Sequence, residues 1–249
     1  MHSEAKRMRF DWAAIPEMMP ALLAGLRVTV IATIVIMGIA LIVALPIALA
    51  RMSHHALLRV PSTIYVQVLR GTPVLLQLFY LYYVLPFAGI QLNAWAAGVI
   101  GMSAAYSAYL SEIYRAGIEA IDRGQTEAAL SLGMSRVQVM RIVVLPQAFR
   151  IVIPPIGNMF IGLFKDTSLL SILTIRELMF QGQLLAATNF RHITIFTVIA
   201  VLYLAVCWPS ASIIDRLEKR LKATPLDKGS SGQNQGWPVG QVPTPETMA

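Results

Sequence analysis

The polar side chains inside or beside long apolar stretches set the chemistry open to this sequence: Arg70, Gln77, Glu112, Arg115, Glu119, Asn158, Lys165 and Asp166. A charge at membrane depth costs about 3 kcal/mol on insertion scales, so each calls for a partner or a task. Glu112, Arg115 and Glu119 share one helical face at spacings of three and four. Such a face is either a ladder of ion pairs or, with Glu112 deeper in the membrane, a seat for a ligand's cationic group. Counted from Trp95, Glu112 lies about 26 Å along its segment, close to one edge of a bilayer core. Arg70 either marks the edge of a span or, where the span runs through it, offers a guanidinium to a substrate carboxylate. Asn158 and Gln77 place amides within apolar segments, where an amide binds substrate or hydrogen-bonds a neighbouring helix. Lys165 and Asp166 close an apolar block and precede Thr167 and Ser168, a stop followed by a helix cap, and a break there is a candidate gate.

Other chemistries lack their residues. The histidines His2, His54, His55 and His192 show no metal-ligand spacing. The single cysteine, Cys207, forms neither an internal disulfide nor a metal site and reads as a small packing residue. No G-x-x-x-x-G-K-[ST] phosphate loop occurs, so the chain is expected to hold no ATP itself and to be no enzyme. No aromatic-basic or finger pattern points to nucleic acid.

The elements that must position these residues are membrane helices. Of 249 residues, 56% are hydrophobic and only 13% charged, against about 25% charged in a soluble domain. The apolar residues come in blocks, which makes lipid the solvent for much of the chain. The expected architecture is all-α, with five spans near 28–50, 73–90, 95–113, 143–164 and 193–214 in a membrane domain of residues 28–222. Residues 1–27 read as a polar or amphipathic segment interrupted by Pro16, Pro20 and Gly25. Ala48-Leu49-Ala50 resembles a signal-peptide cleavage site, but the apolar block before it is too long and begins too late for one. Ala40, Ala44 and Ala48 form a small-residue face for close helix contact. Thr72 and Pro73 read as the start of span two, after a short interfacial helix over 61–69; one longer span broken inside the membrane is the alternative. Ser168 to Leu185 reads as a helix in or against the membrane, and 223–249, rich in Gly and Pro, as a disordered tail.

Basic residues orient the spans. Arg51 and Arg59 follow the first, Arg123, Arg136, Arg141 and Arg150 follow the third, and Arg216, Lys219, Arg220, Lys222 and Lys228 follow the last. The stretch between spans two and three carries none. Five spans with the N-terminus outside and the C-terminus in the cytoplasm satisfy this pattern, although Lys6, Arg7, Arg9, Arg27, Arg176 and Arg191 then lie outside.

That topology puts residues 120–146 in the cytoplasm. Gln125 to Leu132 favours helix, Gly133 suits the left-handed position that ends one, and Ser135 with Gln138 forms a capping box for a second helix closed by Leu145-Pro146. A helix with Ala128 and Ala129 on its face and one acid, Glu127, can enter a groove on another protein, or can be an ordinary helical loop.

The spacing Glu127-Ala128-Ala129, Gly133, Leu145-Pro146 resembles the EAA loop of bacterial ABC importer permeases, with Val143 where that family usually has Ile. Arg70-Gly71-Thr72-Pro73, the stretch from Tyr106 to Ile113 (Ser107 where Ala is more usual) and Lys165-Asp166-Thr167-Ser168-Leu169 are similar to the polar amino-acid permeases that import histidine, glutamine, arginine and opines. The resemblance covers about residues 16–222. It implies a pathway formed with a second permease chain, the same or homologous, in the bacterial inner membrane. It further implies two ATPase subunits that carry the ATP, an external solute-binding protein, and a polar amino acid, opine or ectoine-like zwitterion as cargo. In that frame Glu127 is the charged contact to the ATPase, Ala128 and Ala129 allow close approach, and Gly133 makes the turn. A non-transporting multi-span scaffold and an ion-gradient transporter are the competing readings. The latter usually carries internal repeats, which this sequence does not display convincingly.

Overall fold

The computed structural model describes residues 10–222, and every described element is helical. The tail over 223–249 lies outside the described residues, as do residues 1–9. Helix α1 spans Ile15–Arg51. It begins well before the apolar block at Val28, because the prolines expected to interrupt it do not. Pro16 occupies the first turn, where its missing N–H would be unpaired anyway, and Pro20 forfeits only a bond to that same turn. Packing supplies the rest: Ala14, Met18 and Leu22 are buried against Leu178, Ala186, Ile195 and Ile199. Further along, Ala32, Ile36, Ala40, Ala44 and Ala48 are fully buried, so the small-residue stripe faces the protein.

Helix α2 (Ala56–Gly71) leads into α3 (Val74–Phe79), which continues as a π-helical stretch Tyr80–Val84 and a 3-10 turn Leu85–Ala88. The two halves bend by 105° at Thr72–Pro73. Pro73, not Thr72, caps α3; Thr72 ends α2 and returns its hydroxyl to Val68 O at 2.9 Å. Helix α4 (Ala94–Glu119) is capped by Asn93, whose side chain accepts from Ala96 N. It runs a turn and a half beyond the apolar block that ended near Ile113. Two short helices follow: α5 (Arg123–Ser131), then a single turn Arg136–Gln138 that passes through a π-helical stretch Val139–Val144 into α6 (Leu145–Asp166). A 3-10 segment Thr167–Leu173, α7 (Leu178–Asn189) and α8 (His192–Lys222) complete the chain.

Three of these stretches are long and apolar enough to cross a membrane: Trp12–Arg51, Arg136–Leu173 and His192–Leu221. The bent pair Ala56–Gly71 and Val74–Ala88 makes a fourth when taken as one broken span. Helix α4 is not among them, and its composition says why. It is the central helix, packed on α1, α2, α3 and α6, and buries Gly98, Gly101, Ser103, Ser107, Ser111 and Gly117. Small and hydroxylated residues lower its hydropathy while letting neighbouring backbones approach.

At Gly25, α1 comes against the backbone at the start of α7. A Cβ on Gly25 would stand 2.9 Å from Leu178 Cα and 3.0 Å from Glu177 O, backbone atoms that cannot swing away. Gly25→Leu is therefore expected to cost about 3 kcal/mol by forcing the helices apart. Gly38→Leu is the control, since nothing lies within 4 Å of a Cβ there. Heating each purified variant with a thiol-reactive dye, which reads the exposure of the lone Cys207, measures the difference.

Candidate functional site

The helix-turn-helix over 123–144 is built from local signals. Asp122 Oδ1 accepts from Gly124 N at 2.6 Å and starts α5. Gly133, at φ 81°, donates to Leu130 O, while Met134 N reaches back to Ala129 O at 3.2 Å, which closes the helix in the left-handed form that glycine permits. The capping box is complete: Gln138 N donates to Ser135 Oγ at 3.4 Å and Ser135 N to Gln138 Oε1 at 2.8 Å. A small core of Ala129, Val139 and Val144, backed by Ile118, Ile121 and Met134, fixes the two arms.

This core divides the Glu-Ala-Ala triplet. Ala129 is buried inside the loop's own core, whereas Glu127 and Ala128 face outward. The outward surface is completed by residues the sequence reading did not single out: Leu132 is 83% exposed, with Leu130 and Val137 beside it in the loop and also exposed. Leu132 immediately precedes the left-handed glycine, a position whose exposure no hydrophobic periodicity reports. Glu127 also lines a cavity of about 610 Å³ with Glu119, Arg123, Met52 and Met140. Leu145 is partly exposed at the start of α6, and Pro146 lies in its first turn.

The second constellation runs along α4, where Tyr106, Tyr109, Glu112, Arg115 and Glu119 recur at three and four. Tyr106 donates its hydroxyl to Asp166 Oδ2 at 2.8 Å, joining this stripe to the end of α6. Tyr109 lies under the Arg70 guanidinium, 5.5 Å from its ring centre. Glu112 Oε1 takes Arg51 at 2.7 Å and Arg70 at 2.9 Å, and its Oε2 takes Arg115 at 2.9 Å; Arg115 reaches on to Glu119 at 2.5 Å. Arg70 and Glu112, distant in sequence, thus meet, and Arg51 joins them. The apolar run from Val28 to Ala50 had made Arg51 look like a mere end marker.

Gln77 pins the break. Its Nε2 donates to Leu69 O at 2.8 Å, the carbonyl that the missing N–H of Pro73 leaves without a helical donor, and to Thr72 O at 3.1 Å and Thr72 Oγ at 2.9 Å. Its Oε1 is buried without a partner beside a cavity of about 430 Å³ that Tyr80, Ile100, Gly101 and Ala104 help to line. Lys165 and Asp166 do not pair: Lys165 is exposed, Asp166 serves Tyr106, and Thr167 returns its hydroxyl to Phe164 O at 2.7 Å instead of capping a new helix. Asn158 lies apart from the cluster on an exposed part of α6. Tyr83, in the π-helical stretch, donates to Ile172 O at 3.1 Å and ties the broken span to the 3-10 segment.

A third cluster holds that segment's far end. Glu177 is fully buried at the start of α7, where its carboxylate accepts from Met179 N and Phe180 N at 2.8 and 2.7 Å and from Thr29 of α1 at 3.4 Å. Burial pushes its pKa up to about 7 against the pull of these hydrogen bonds. Thr174 and Phe190, at φ 60° and 56°, bracket it in left-handed conformations that a β-branched or bulky residue rarely adopts. No grouping of His, Cys, Asp and Glu among the described residues suits a metal ion.

Comparison with known proteins places these features in a common setting. Residues 37–223 match the family described as the binding-protein-dependent transport system inner membrane component. The chain is 38% identical over 204 residues to the probable amino-acid ABC transporter permease protein YckA of Bacillus subtilis, covering 82% of this chain and 90% of that one. It is 35% identical over 217 residues to the glutamine transport system permease protein GlnP of Escherichia coli K12, covering 86% and 99%. Its fold is similar to a crystal structure of an amino acid ABC transporter with histidines, at a TM-score of 0.82 and 33% identity, covering 86% of this chain and all of that one. The inward-facing MetNI methionine ABC transporter, at TM-score 0.70 and 18% identity, shares the fold.

Proposed function

Since the chain belongs to the family of binding-protein-dependent transport system inner membrane components and is a permease subunit of an ABC importer for polar amino acids, a multi-pass protein whose ATP is hydrolysed on a separate subunit, we propose that residues 120–146 are the element through which it is driven. The observation that carries this is the outward face of Glu127, Ala128 and Leu132 on a loop rigidified by Gly133, the capping box and its own small core. A stiff protrusion with an apolar tip and one acid suits a groove on an ATPase subunit. Leu145 and Pro146 open the helix that carries its motion into the membrane.

The remaining assignments follow. Helix α4 counts as a span alongside the four others, giving five, with the N-terminus outside and the C-terminus in the cytoplasm. Two permease chains, two ATPase subunits and an external solute-binding protein make up the importer. Its cargo is a polar amino acid or a related zwitterion, in keeping with the glutamine and L-cystine systems named for its relatives. The zwitterion passes the stripe on α4, where Arg70 and Glu112 offer both signs of charge, and the break between α2 and α3, where Gln77 offers an unpaired acceptor. Asn158, which faces away from this stripe, addresses the second permease chain or cargo shared with it. Lys165 and Asp166, at the break after α6, gate the path.

The test is co-purification. Wild-type permease expressed with its ATPase subunit is expected to retain it in detergent, and Glu127→Arg or Gly133→Val to lose it at unchanged permease abundance. A side chain at Gly133 costs about 1–2 kcal/mol in the left-handed region, enough to tilt the loop. Retention of the ATPase by both variants, with uptake intact, would remove the coupling assignment.

A further inference from the structure

The charges around Glu112 do not balance. Three guanidiniums, those of Arg51, Arg70 and Arg115, converge on it, and Glu119 pairs with Arg115 alone, so three cations face two carboxylates and one positive charge is left over. Glu112 has two oxygens and both are taken. Arg51 is served worst. Its side chain is 12% exposed, and its Nε and Nη1 are both shielded from water without a hydrogen-bond partner. Nη1 stands 2.7 Å from Glu112 Oε1 but off the line of a hydrogen bond. Buried donors without acceptors are destabilising, and a guanidinium cannot relieve that by losing its proton. The cluster is one anion short.

We propose that Arg51, together with Arg70, forms the subsite that takes the carboxylate of the transported zwitterion as it leaves for the cytoplasm, and that the arriving carboxylate displaces Glu112 from Arg51. The proposal rests on the amino-acid importer reading and adds to it the residue and the group recognised. The stripe on α4 leads to this point, from Asp166 and Tyr106 past Tyr109 to Arg70. Glu112, freed from Arg51, becomes available to the cargo's ammonium, so one zwitterion satisfies both halves of the cluster. Arg51 ends α1 and Arg70 ends α2, so occupancy also loosens the tie that holds those two helix ends to α4. A phosphate, free or on a lipid, shares the charge but not this route, because Arg51 is enclosed between α1, α2 and α4 and shows little of itself at the surface.

The experiment uses the assembled importer, with its ATPase and binding protein, in liposomes of neutral phosphatidylcholine. Wild type is first screened for accumulation of each standard amino acid, and failure to accumulate any would overturn the importer reading itself. The accumulated amino acid is then tritiated and bound to the detergent-solubilised permease–ATPase complex, with three competitors: the same amino acid, its carboxamide, and inorganic phosphate. The free amino acid is expected to compete in wild type and the carboxamide to fail. In Arg51→Gln, affinity falls by about thirtyfold, the order set by losing one desolvated charge partner, and the gap between acid and amide closes. Arg51→Lys, which keeps the charge, restores part of that gap and controls for a merely structural loss. Wild-type uptake with an Arg51→Gln variant that binds, discriminates and transports unchanged overturns this proposal alone. Competition by inorganic phosphate as effective as that of the amino acid, or recovery of the variant's discrimination on adding phosphatidylglycerol, assigns the subsite to phosphate and overturns it too.

Discussion

A permease carrying Leu132→Asp is expected to fold as the wild type does and to lose ATP-driven uptake by about two orders of magnitude. Leu132 is 83% exposed, so changing it removes almost nothing from the fold. On the coupling role proposed above, its value lies in a groove on the ATPase subunit. Burying a leucine fully is worth about 2 kcal/mol, and an aspartate in the same groove adds the cost of a desolvated, unpaired carboxylate, so a total near 3 kcal/mol converts to about a hundredfold. Leu132→Ala should fall between the two. Thermal dye labelling of Cys207 should not distinguish the three proteins, while ATPase retention and uptake should. Uptake by Leu132→Asp at the wild-type rate would mean that the exposed tip contacts no partner. The contrast with Ala129 sharpens the test: Ala129 is buried against Val139 and Val144, so enlarging it disturbs the loop from within and lowers stability as well as uptake.

Glu177→Ala is expected to destabilise the contact between α1 and α7 by about 3 kcal/mol, because it strips the acceptor from two N–H groups at the start of α7 and removes one of the partners of the Thr29 hydroxyl. Glu177→Gln separates the cap from the charge. Burial raises the native pKa of Glu177 from 4.5 to about 7, so the folded state binds a proton that the unfolded state releases. Its contribution is therefore fully present below about pH 4.5 and is lost as pH rises toward 7, with a span of about 3 kcal/mol. Wild-type stability should decline across that window, and the decline should flatten in Glu177→Gln, which remains neutral. Melting curves at pH 5 and pH 7.5 for both proteins decide it; equal slopes would show that Glu177 does not titrate there.

What could be read from the sequence is what local chemistry decides. Gly133 takes φ 81° and Ser135 pairs with Gln138 because a turn and a cap each involve residues three or four apart. The face shared by Glu112, Arg115 and Glu119 was visible for the same reason, whereas its continuation through Tyr109 and Tyr106 to Asp166 was not. Which side of a helix meets which neighbour was not visible. Ala129 turns inward because Val139 and Val144 lie there, and nothing in the triplet itself distinguishes it from Ala128. The prolines of α1 signalled a break that contacts with α7 and α8 overrule. Glu177 stood in a moderately apolar stretch beside Arg176, and only its bond to Thr29, 148 residues away, makes it a buried cap. Arg51 looked like the charge that ends a span until Glu112 and Arg70 were found beside it.

The π-helical stretch Val139–Val144 sits between the helix-turn-helix loop and α6. A π turn holds one residue more than an α turn, and one residue is worth about 100° of rotation. That surplus residue therefore sets the angular phase between loop and span. Deleting one position there would leave both helices intact in themselves while turning α6 against the loop by more than a quarter of a circle. Asn158 and Asp166 would then point into new sectors although neither had been touched.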